Sequence, residues 1–405
     1  MKRKRVCLDS RLIKPGEYFV PVKGDNFDGR KYIEEVLKNG AAGIVEVEEL
    51  YILAEDKLEK LKPTVIGIAG SVGKSSMRAY MTQILSTKYS VLEGDLNTKL
   101  GLSTLIVNEL DKQKIIVAEL GIDRLGEMKQ VTDFIKPEFS IITKLEREHL
   151  QFLISLDNVI KENMVAISNS KNKEGYINMV DVGMIEEDVM KGIKVYFYPE
   201  ANFNEEVGQI IHEMELPDHD KEYLMGIYQI CRDKFDFSDQ QFVETLSLIQ
   251  KPKGRLNMIP GLKGSLILDD SYNAVADQSI IKGIKFAQAL ARKYKKKLVV
   301  VISPMRETGE TEEDQHKNVA EFLNEQPDIE LIVIGDADKR YGKYLRIPYK
   351  NIISSTYFNY EIKGGELFYA KGSQFYRLEK IVYYLMKDKK SASKILVRQD
   401  ARWNS

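Results

Sequence analysis

An apolar run that breaks into three evenly spaced glycines and restarts as a helix constrains this chain more than any other stretch. It reads "TVIGIAGSVGKSSMRAYMTQIL", Thr64 to Leu85. The continuous apolar residues predict a strand buried on both faces, and Lys74 to Leu85 predicts a helix. Gly67, Gly70 and Gly73 lie across the junction. Glycine lets the backbone take positive φ and bring its N–H groups close to an anion, and a helix N-terminus adds partial positive charge. Gly70, Ser71, Val72, Gly73, Lys74, Ser75 and Ser76 are therefore candidates for a phosphate-binding loop. Lys74 would reach the terminal phosphates and the Ser75 hydroxyl a Mg²⁺ ion, with Ser76 as a second hydroxyl. The spacing departs from the common motif, which has glycine where Ile68 stands. A plain strand–helix turn is the simpler alternative; the Gly-Lys-Ser-Ser ending at this junction argues against it.

The alternation continues on both sides. Before the loop, "EYFVPV", the helix "DGRKYIEEVLKNG" stopped by Gly40, and "AAGIVEV" form a small unit that ends at a Lys62-Pro63 linker. After it come the strand "KIIVAEL", the helix "GEMKQVTDFIK", the strand "EFSIIT" and a helix from Leu156 to Ser168. Two more helices are expected at Leu216–Asp233 and Asp239–Ile249. "QKPKGRLNMIPGLKG" reads as an interdomain connection. The pattern then restarts with "SLILDD", a helix from Ala276 to Lys293, "KLVVVIS", a helix with Thr311 as N-cap, "IELIVIGD", "GELFYA" and a last long helix "SQFYRLEKIVYYLMK". Such order predicts α/β units with parallel sheets covered on both faces. At 405 residues the chain is too long for one ordinary core.

Its formal net charge of -1 and the lack of long single-sign blocks give no sign of nucleic-acid binding. The basic start, Met1 to Arg5, is not followed by the apolar stretch of a signal peptide, and no apolar run is long enough to cross a membrane. Cys7 and Cys231 read as reduced structural thiols. The expected location is cytoplasmic.

Other polar residues fall where a sheet ends. Glu119 closes "IIVAEL", where a second Mg²⁺ ligand should sit, although a charge facing water would read the same. His149, one of four histidines, follows the next strand and could bind a metal or phosphate, or simply pack. Asn97 lies in the polar, glycine-bounded loop Gly94 to Ser103 and could meet a substrate or serve an ordinary turn. "LDDSYNA" ends a buried strand with Asp270 and Asn273, facing a crevice or capping the next helix. Arg255 at the hinge could reach a phosphate.

Taken in order, "DSRLIKPGEYFVPVKGDNFDG", "GIAGSVGKSS", "GDLNTKLGLS", "AELGIDRLGEM", "IKPEFSIITKLEREHL", "GRLNMI", "LDDSYNA", "ETGETEEDQH" and "AKGS" resemble the Mur ligases. Within them they resemble the branch that joins D-Ala-D-Ala to a UDP-N-acetylmuramoyl tripeptide. The resemblance covers nearly the whole chain. It implies three domains: a small α/β domain at 1–62 for the UDP end, a central P-loop, parallel-sheet ATPase domain at 63–259, and a Rossmann-like domain at 260–405 that closes over it. It places Ser10, Arg11, Lys23, Gly24, Phe27, Asp28, Gly29, Asn97 and Lys371 on substrate, and Arg255 on nucleotide. Lys74, Glu119, His149, Asp270 and Asn273 become catalytic, with Ser75, Glu119 and His149 on Mg²⁺. The implied chemistry is ATP-driven, ADP-forming amide synthesis through an acyl phosphate, in cytoplasmic peptidoglycan precursor synthesis, by a monomer.

The chain departs from the family in places. Asn163 stands where the family carries a lysine modified to a carbamate, and Lys161 lies two residues earlier on another helix face. The family's adenine-holding stretch is reduced to "PDHDKEY", with Asp220 and Tyr223 in place of asparagines, so that Tyr223 is expected to stack on adenine. Two other readings stay open: a related ligase for another precursor or amino acid, and a non-catalytic scaffold that binds nucleotide.

Overall fold

The computed structural model describes residues 4–24, 27–94, 97–146, 150–200, 203–306 and 308–399. These fall into two compact units. One holds the described residues up to 146 together with 155–249; the other holds 150–154 and 250–399.

The first unit centres on a six-stranded, all-parallel sheet. Its order is Lys194–Tyr198, Glu174–Asn178, Phe139–Ile142, Thr64–Ala69, Ile115–Glu119, Val91–Leu92. Thr64–Ala69 lies inside the sheet, flanked by two parallel neighbours, so the loop that follows it starts from a buried strand. Gly67 pairs with Ala118 and with Ser140, and a Cβ there would lie 2.7 Å from Ser140 Oγ. The helices Lys74–Ser86 and Asp218–Phe235 cover one face, joining Ile66, Ile68 and Val117 to Tyr80, Ile84, Leu224 and Ile227 in one core.

N-terminal to this sheet, three short parallel strands, Val6–Cys7, Tyr18–Phe19 and Gly43–Ile44, make a small sheet. It is stitched to the helix Lys99–Glu109 by Asn108, whose amide bonds both Val6 N–H and Val6 C=O at 2.8 Å. The sequence reading missed the helix Val47–Leu61, because "AAGIVEV" runs as a strand pattern straight into its first residues. That helix ends at Lys62 in the left-handed region (φ 46), before Pro63. Its Lys57 Nζ donates to the carbonyls of Ile106, Val107 and Leu110 at the end of Lys99–Glu109, the favoured place for a cation.

The second unit has a six-stranded sheet in the order Asn257–Pro260, Leu266–Asp270, Glu366–Lys371, Lys297–Ile302, Glu330–Ile334, Tyr349–Ile352. Only the first pair is antiparallel. Residues alternate between two apolar faces. Leu268, Val300 and Val333 pack under the helices Asp277–Lys293 and Glu312–Asn324. Ile267, Val301 and Phe368 pack under Glu379–Leu385.

Several expectations shift here. The segment read as a connection supplies the edge strand Asn257–Pro260. Half of the Gly94–Ser103 loop is helix, starting at Lys99 with Thr98 as cap. Thr311 precedes its helix but turns its hydroxyl to Thr308 C=O at 2.7 Å. The expected last long helix breaks at Arg377 (φ 55), leaving a 3-10 turn Gln374–Tyr376 and the short helix Glu379–Leu385. Among the described residues no helix is long and apolar enough to cross a membrane.

The loop after Lys297–Ile302 is pinned by His316, which is 1% exposed. Its Nε2 accepts from Met305 N–H at 3.1 Å and its Nδ1 donates to Glu312 C=O at 2.6 Å, so the ring is neutral. Burial pushes its pKa down to about 4, with the opposing pull of Asp336 outweighed. The folded pKa lies below that of an unfolded histidine, so the unfolded chain binds the extra proton first. Stability from this group is full above about pH 6.5 and is lost as pH falls toward 4, by up to roughly 3 kcal/mol. Urea unfolding between pH 4 and 7 should show this slope in the wild type and a flatter one in His316→Gln.

Candidate active site

Residues 70–73 join Thr64–Ala69 to the helix Lys74–Ser86. Gly70 has φ +121 and Gly73 φ +91; a Cβ would meet Thr143 Oγ1 at 2.4 Å from the first and Tyr223 Oη at 1.9 Å from the second. Both positions require glycine on conformation and on space. The loop is held from three sides. Gly70 N–H donates to Asn163 Oδ1 at 2.7 Å, and Ser71 N–H to Lys144 C=O at 2.6 Å. The Val72 carbonyl accepts from Thr143 Oγ1 (2.8 Å) and Tyr223 Oη (3.2 Å). The first-turn N–H groups of Lys74, Ser75 and Ser76 have no acceptor inside the helix and form its anion-seeking end. Lys74 Nζ curls over the loop to the carbonyls of Gly70 (2.5 Å) and Ser71 (3.1 Å).

Glu119 does not face water. It is 6% exposed and accepts from Ser75 Oγ at 3.1 Å. Arg78, one turn along the same helix, places Nε 3.5 Å from its other oxygen and also donates to Gly94 C=O. Sequence reasoning missed Arg78, although its spacing from Lys74 and Ser75 put it on their helix face. Asn97 packs on Gly121, two residues beyond Glu119, where a Cβ would lie 2.6 Å from its Nδ2. Ser75 and Glu119 are hard oxygen donors brought together beside a phosphate loop, so these residues fit a Mg²⁺ ion. His149 lies outside the described residues.

Two departures from the family acquire structural roles. Asn163 is fully buried, and its Nδ2 donates to Val159 C=O at 2.9 Å while its Oδ1 holds the loop. Tyr223 is 1% exposed beneath Gly73. A ring so buried offers no face to a base, so the expectation that it stacks on adenine is corrected: it props the loop. Asp220 is buried as well and accepts from Tyr80 Oη at 3.0 Å.

Of the residues expected on the UDP end, Lys23–Gly24 and Phe27–Asp28 form an antiparallel pair. Phe27 is half-exposed and stacks on Tyr32. Gly29 abuts the Val22 backbone, 2.8 Å from a would-be Cβ. Ser10 and Arg11 sit on a separate turn, where Asp9 takes the Arg11 guanidinium at 2.7 Å.

The second unit gathers its own predicted residues. Asp270 and Lys371 end neighbouring strands and pair at 2.8 Å, both nearly buried, with Tyr369 Oη 3.2 Å from the same oxygen. Lys371 also donates to Asn273 C=O at 3.2 Å. It therefore orders the turn and offsets the charge of Asp270; the resemblance placed it on substrate. The Arg255 guanidinium lies 4.3 Å over the Tyr272 ring. Beside them, at the carboxyl ends of the strands, a cavity of about 350 Å³ is lined by Arg306, Asp336, Phe375, Tyr376, Arg377 and Lys380 among others. No sequence motif had singled it out.

Asn163→Leu keeps the branched shape at Cγ but leaves Gly70 N–H buried without an acceptor, a loss of about 1–3 kcal/mol. Urea unfolding should register that loss, and calorimetric titration with ADP a matching fall in affinity. Gly73→Ala, which forces a methyl onto Tyr223 at positive φ, should weaken ADP binding by more than about tenfold.

Comparison with known proteins agrees with this geometry. Residues 68–230 match the Mur ligase middle domain. A UDP-N-acetylmuramoyl-tripeptide–D-alanyl-D-alanine ligase of Bacillus subtilis (strain 168) is 23% identical over 79% of this chain and 77% of its own length. One from Rickettsia prowazekii (strain Madrid E) is 23% identical over 94% of each. The crystal structure of MurF ligase from Thermotoga maritima in complex with ADP superposes with a TM-score of 0.76 at 21% identity, covering 97% of this chain and 98% of that one. The loop, Glu119 and most of the parallel sheet around them thus lie within the stretch that matches the Mur ligase middle domain, and the chain as a whole is similar in sequence to MurF-type ligases and in fold to a MurF structure.

Proposed function

We propose that this chain is an ATP-dependent, ADP-forming ligase that joins D-Ala-D-Ala to a UDP-N-acetylmuramoyl tripeptide in cytoplasmic peptidoglycan precursor synthesis. The observation that carries the reading is the Ser75–Glu119 pair set against the Lys74 phosphate loop, in a chain whose MurF-named relatives match it nearly end to end. In this reaction the tripeptide carboxylate is activated as an acyl phosphate, which the dipeptide amine attacks with loss of phosphate. ATP is a substrate, and Mg²⁺ held by Ser75 and Glu119, with His149 as a further ligand, would supply charge neutralisation.

The chain's own residues have physical tasks in that scheme. Two anions must approach, so Lys74 and the helix N-terminus offset their repulsion and stabilise charge on the transferring group. Arg78 pairs with Glu119 and holds it beside Ser75. Asn97, beside Gly121, is assigned to the peptide substrate. In the second unit, Asp270, Asn273 and Arg255 are assigned to nucleotide and reacting groups. The cavity lined by Arg306, Arg377 and Lys380 suits the carboxylate of the incoming dipeptide. The strand pair Lys23–Gly24 and Phe27–Asp28, with Ser10, Arg11 and Gly29, is assigned to the UDP end. Three functional parts, 1–62, 63–259 and 260–405, remain the proposal, with the second boundary drawn back to 249 so that the strand Asn257–Pro260 stays with its sheet.

Phosphate release with MgATP, UDP-muramoyl tripeptide and D-Ala-D-Ala, omitting each in turn, tests the reading. Release should need both peptide substrates and fall by roughly a hundredfold or more in Lys74→Ala. ATP binding without release above controls, across this and other acceptors, would overturn it.

A further inference from the structure

The C-terminal segment carries a constraint that nothing in the proposed chemistry assigns. Leu396 and Val397 are buried, and Leu396 belongs to the core under Glu379–Leu385. They deliver the Arg398 side chain, only 6% exposed, to the back of the "DDSYNA" turn. Arg398 Nη2 donates to Ser271 C=O at 2.6 Å and to Glu379 Oε2 at 2.8 Å. Its Nη1 donates to Tyr272 C=O at 2.9 Å. Two successive carbonyls and a carboxylate are thus held by one planar fork, which an ammonium cannot reproduce.

The turn so held is the one from which the second unit's site residues hang. Asp270 precedes Ser271 and Asn273 follows Tyr272. The Tyr272 ring carries the Arg255 guanidinium, and Tyr272 N–H donates to Gly254 C=O at 3.1 Å. Val397 closes the same corner: a Cβ on Gly254 would lie 3.1 Å from Val397 Cγ1 and 3.0 Å from Tyr272 N. Glu379, 1% exposed, uses its other oxygen for Arg377 Nε, and Arg377 lines the 350 Å³ cavity. Arg377 and Arg398 both sit at left-handed φ, 55 and 53. Non-glycine residues reach that region at a cost that persists only where surrounding contacts over-determine it.

We infer that Arg398 is a positioning residue: the C-terminal segment, through Arg398 and Glu379, sets the turn that presents Asp270, Tyr272 and Asn273 and couples it to the cationic cavity. The kinetic half of this inference rests on the ligase reading; the structural half does not.

Hydrogen exchange on the full chain separates the two. In Arg398→Met, amides of residues 271–274 should exchange on the order of tenfold faster, while the strands Lys297–Ile302 and Glu330–Ile334 keep their protection. Leu396→Ala, which loses packing but keeps the fork, is the stability control, and Arg398→Lys should fall between wild type and Arg398→Met. Where the wild type turns over, Arg398→Met should lower kcat about tenfold with KM for the UDP-tripeptide unchanged. Unchanged exchange at 271–274, or a rise no larger than in Leu396→Ala, would overturn the inference. A wild type without turnover would count against the ligase reading alone and leave the exchange result standing.

Discussion

The hydrogen bond from Gly70 N–H to Asn163 Oδ1 fixes where the phosphate loop begins, and the rest of the nucleotide end depends on it. A glycine at φ +121 has wide conformational freedom, and a buried N–H without a partner is costly. One amide side chain from the helix Leu156–Ser168 removes both problems. With Ser71 tied to Lys144 and Val72 to Thr143 and Tyr223, the loop enters the helix Lys74–Ser86 in a set orientation. Lys74, Ser75 and the first-turn amides are then in place before any ligand arrives, which is what electrostatic stabilisation of a transferring phosphoryl group requires.

Both units solve the same problem at the ends of their strands. Glu119 and Asp270 are each the last residue of a strand, and each is nearly buried. A carboxylate buried there without partners would be costly. Arg78 and Tyr369 with Lys371 supply the compensating charge and hydrogen bonds. Such pairs add little net stability, since desolvation offsets attraction, but they fix orientation. In the second unit the fixing extends outward, from Lys371 to the Asn273 carbonyl and from Arg398 to the two carbonyls before it.

What the sequence made legible was local. The glycine spacing, the Lys-Ser-Ser start of the helix and the strand-ending Glu119 and Asp270 are each readable within a few residues, and all sit where that reading put them. The alternating strands and helices were legible for the same reason. The helix Val47–Leu61 was hidden because a β-rich lead-in masks its first turn. Arg377 breaks the helix expected after Gly372 because Glu379 draws its guanidinium back, a tertiary effect that propensity cannot register. The contacts that explain the departures are longer in range still. Asn163 meets Gly70 across 93 residues, Tyr223 meets Val72 across 151, and Arg398 meets Ser271 across 127. Read against a family pattern, Asn163 and Tyr223 look like losses around metal and adenine. In the fold they are supports for the loop.

The central claim is that the phosphate loop activates a peptide carboxylate by phosphorylating it. Labelling the terminal carboxylate of the UDP-muramoyl tripeptide with ¹⁸O and analysing the released phosphate by mass spectrometry tests that claim most directly. The account predicts that one labelled oxygen leaves with each phosphate as the amide forms. Unlabelled phosphate, released while amide accumulates, would contradict it.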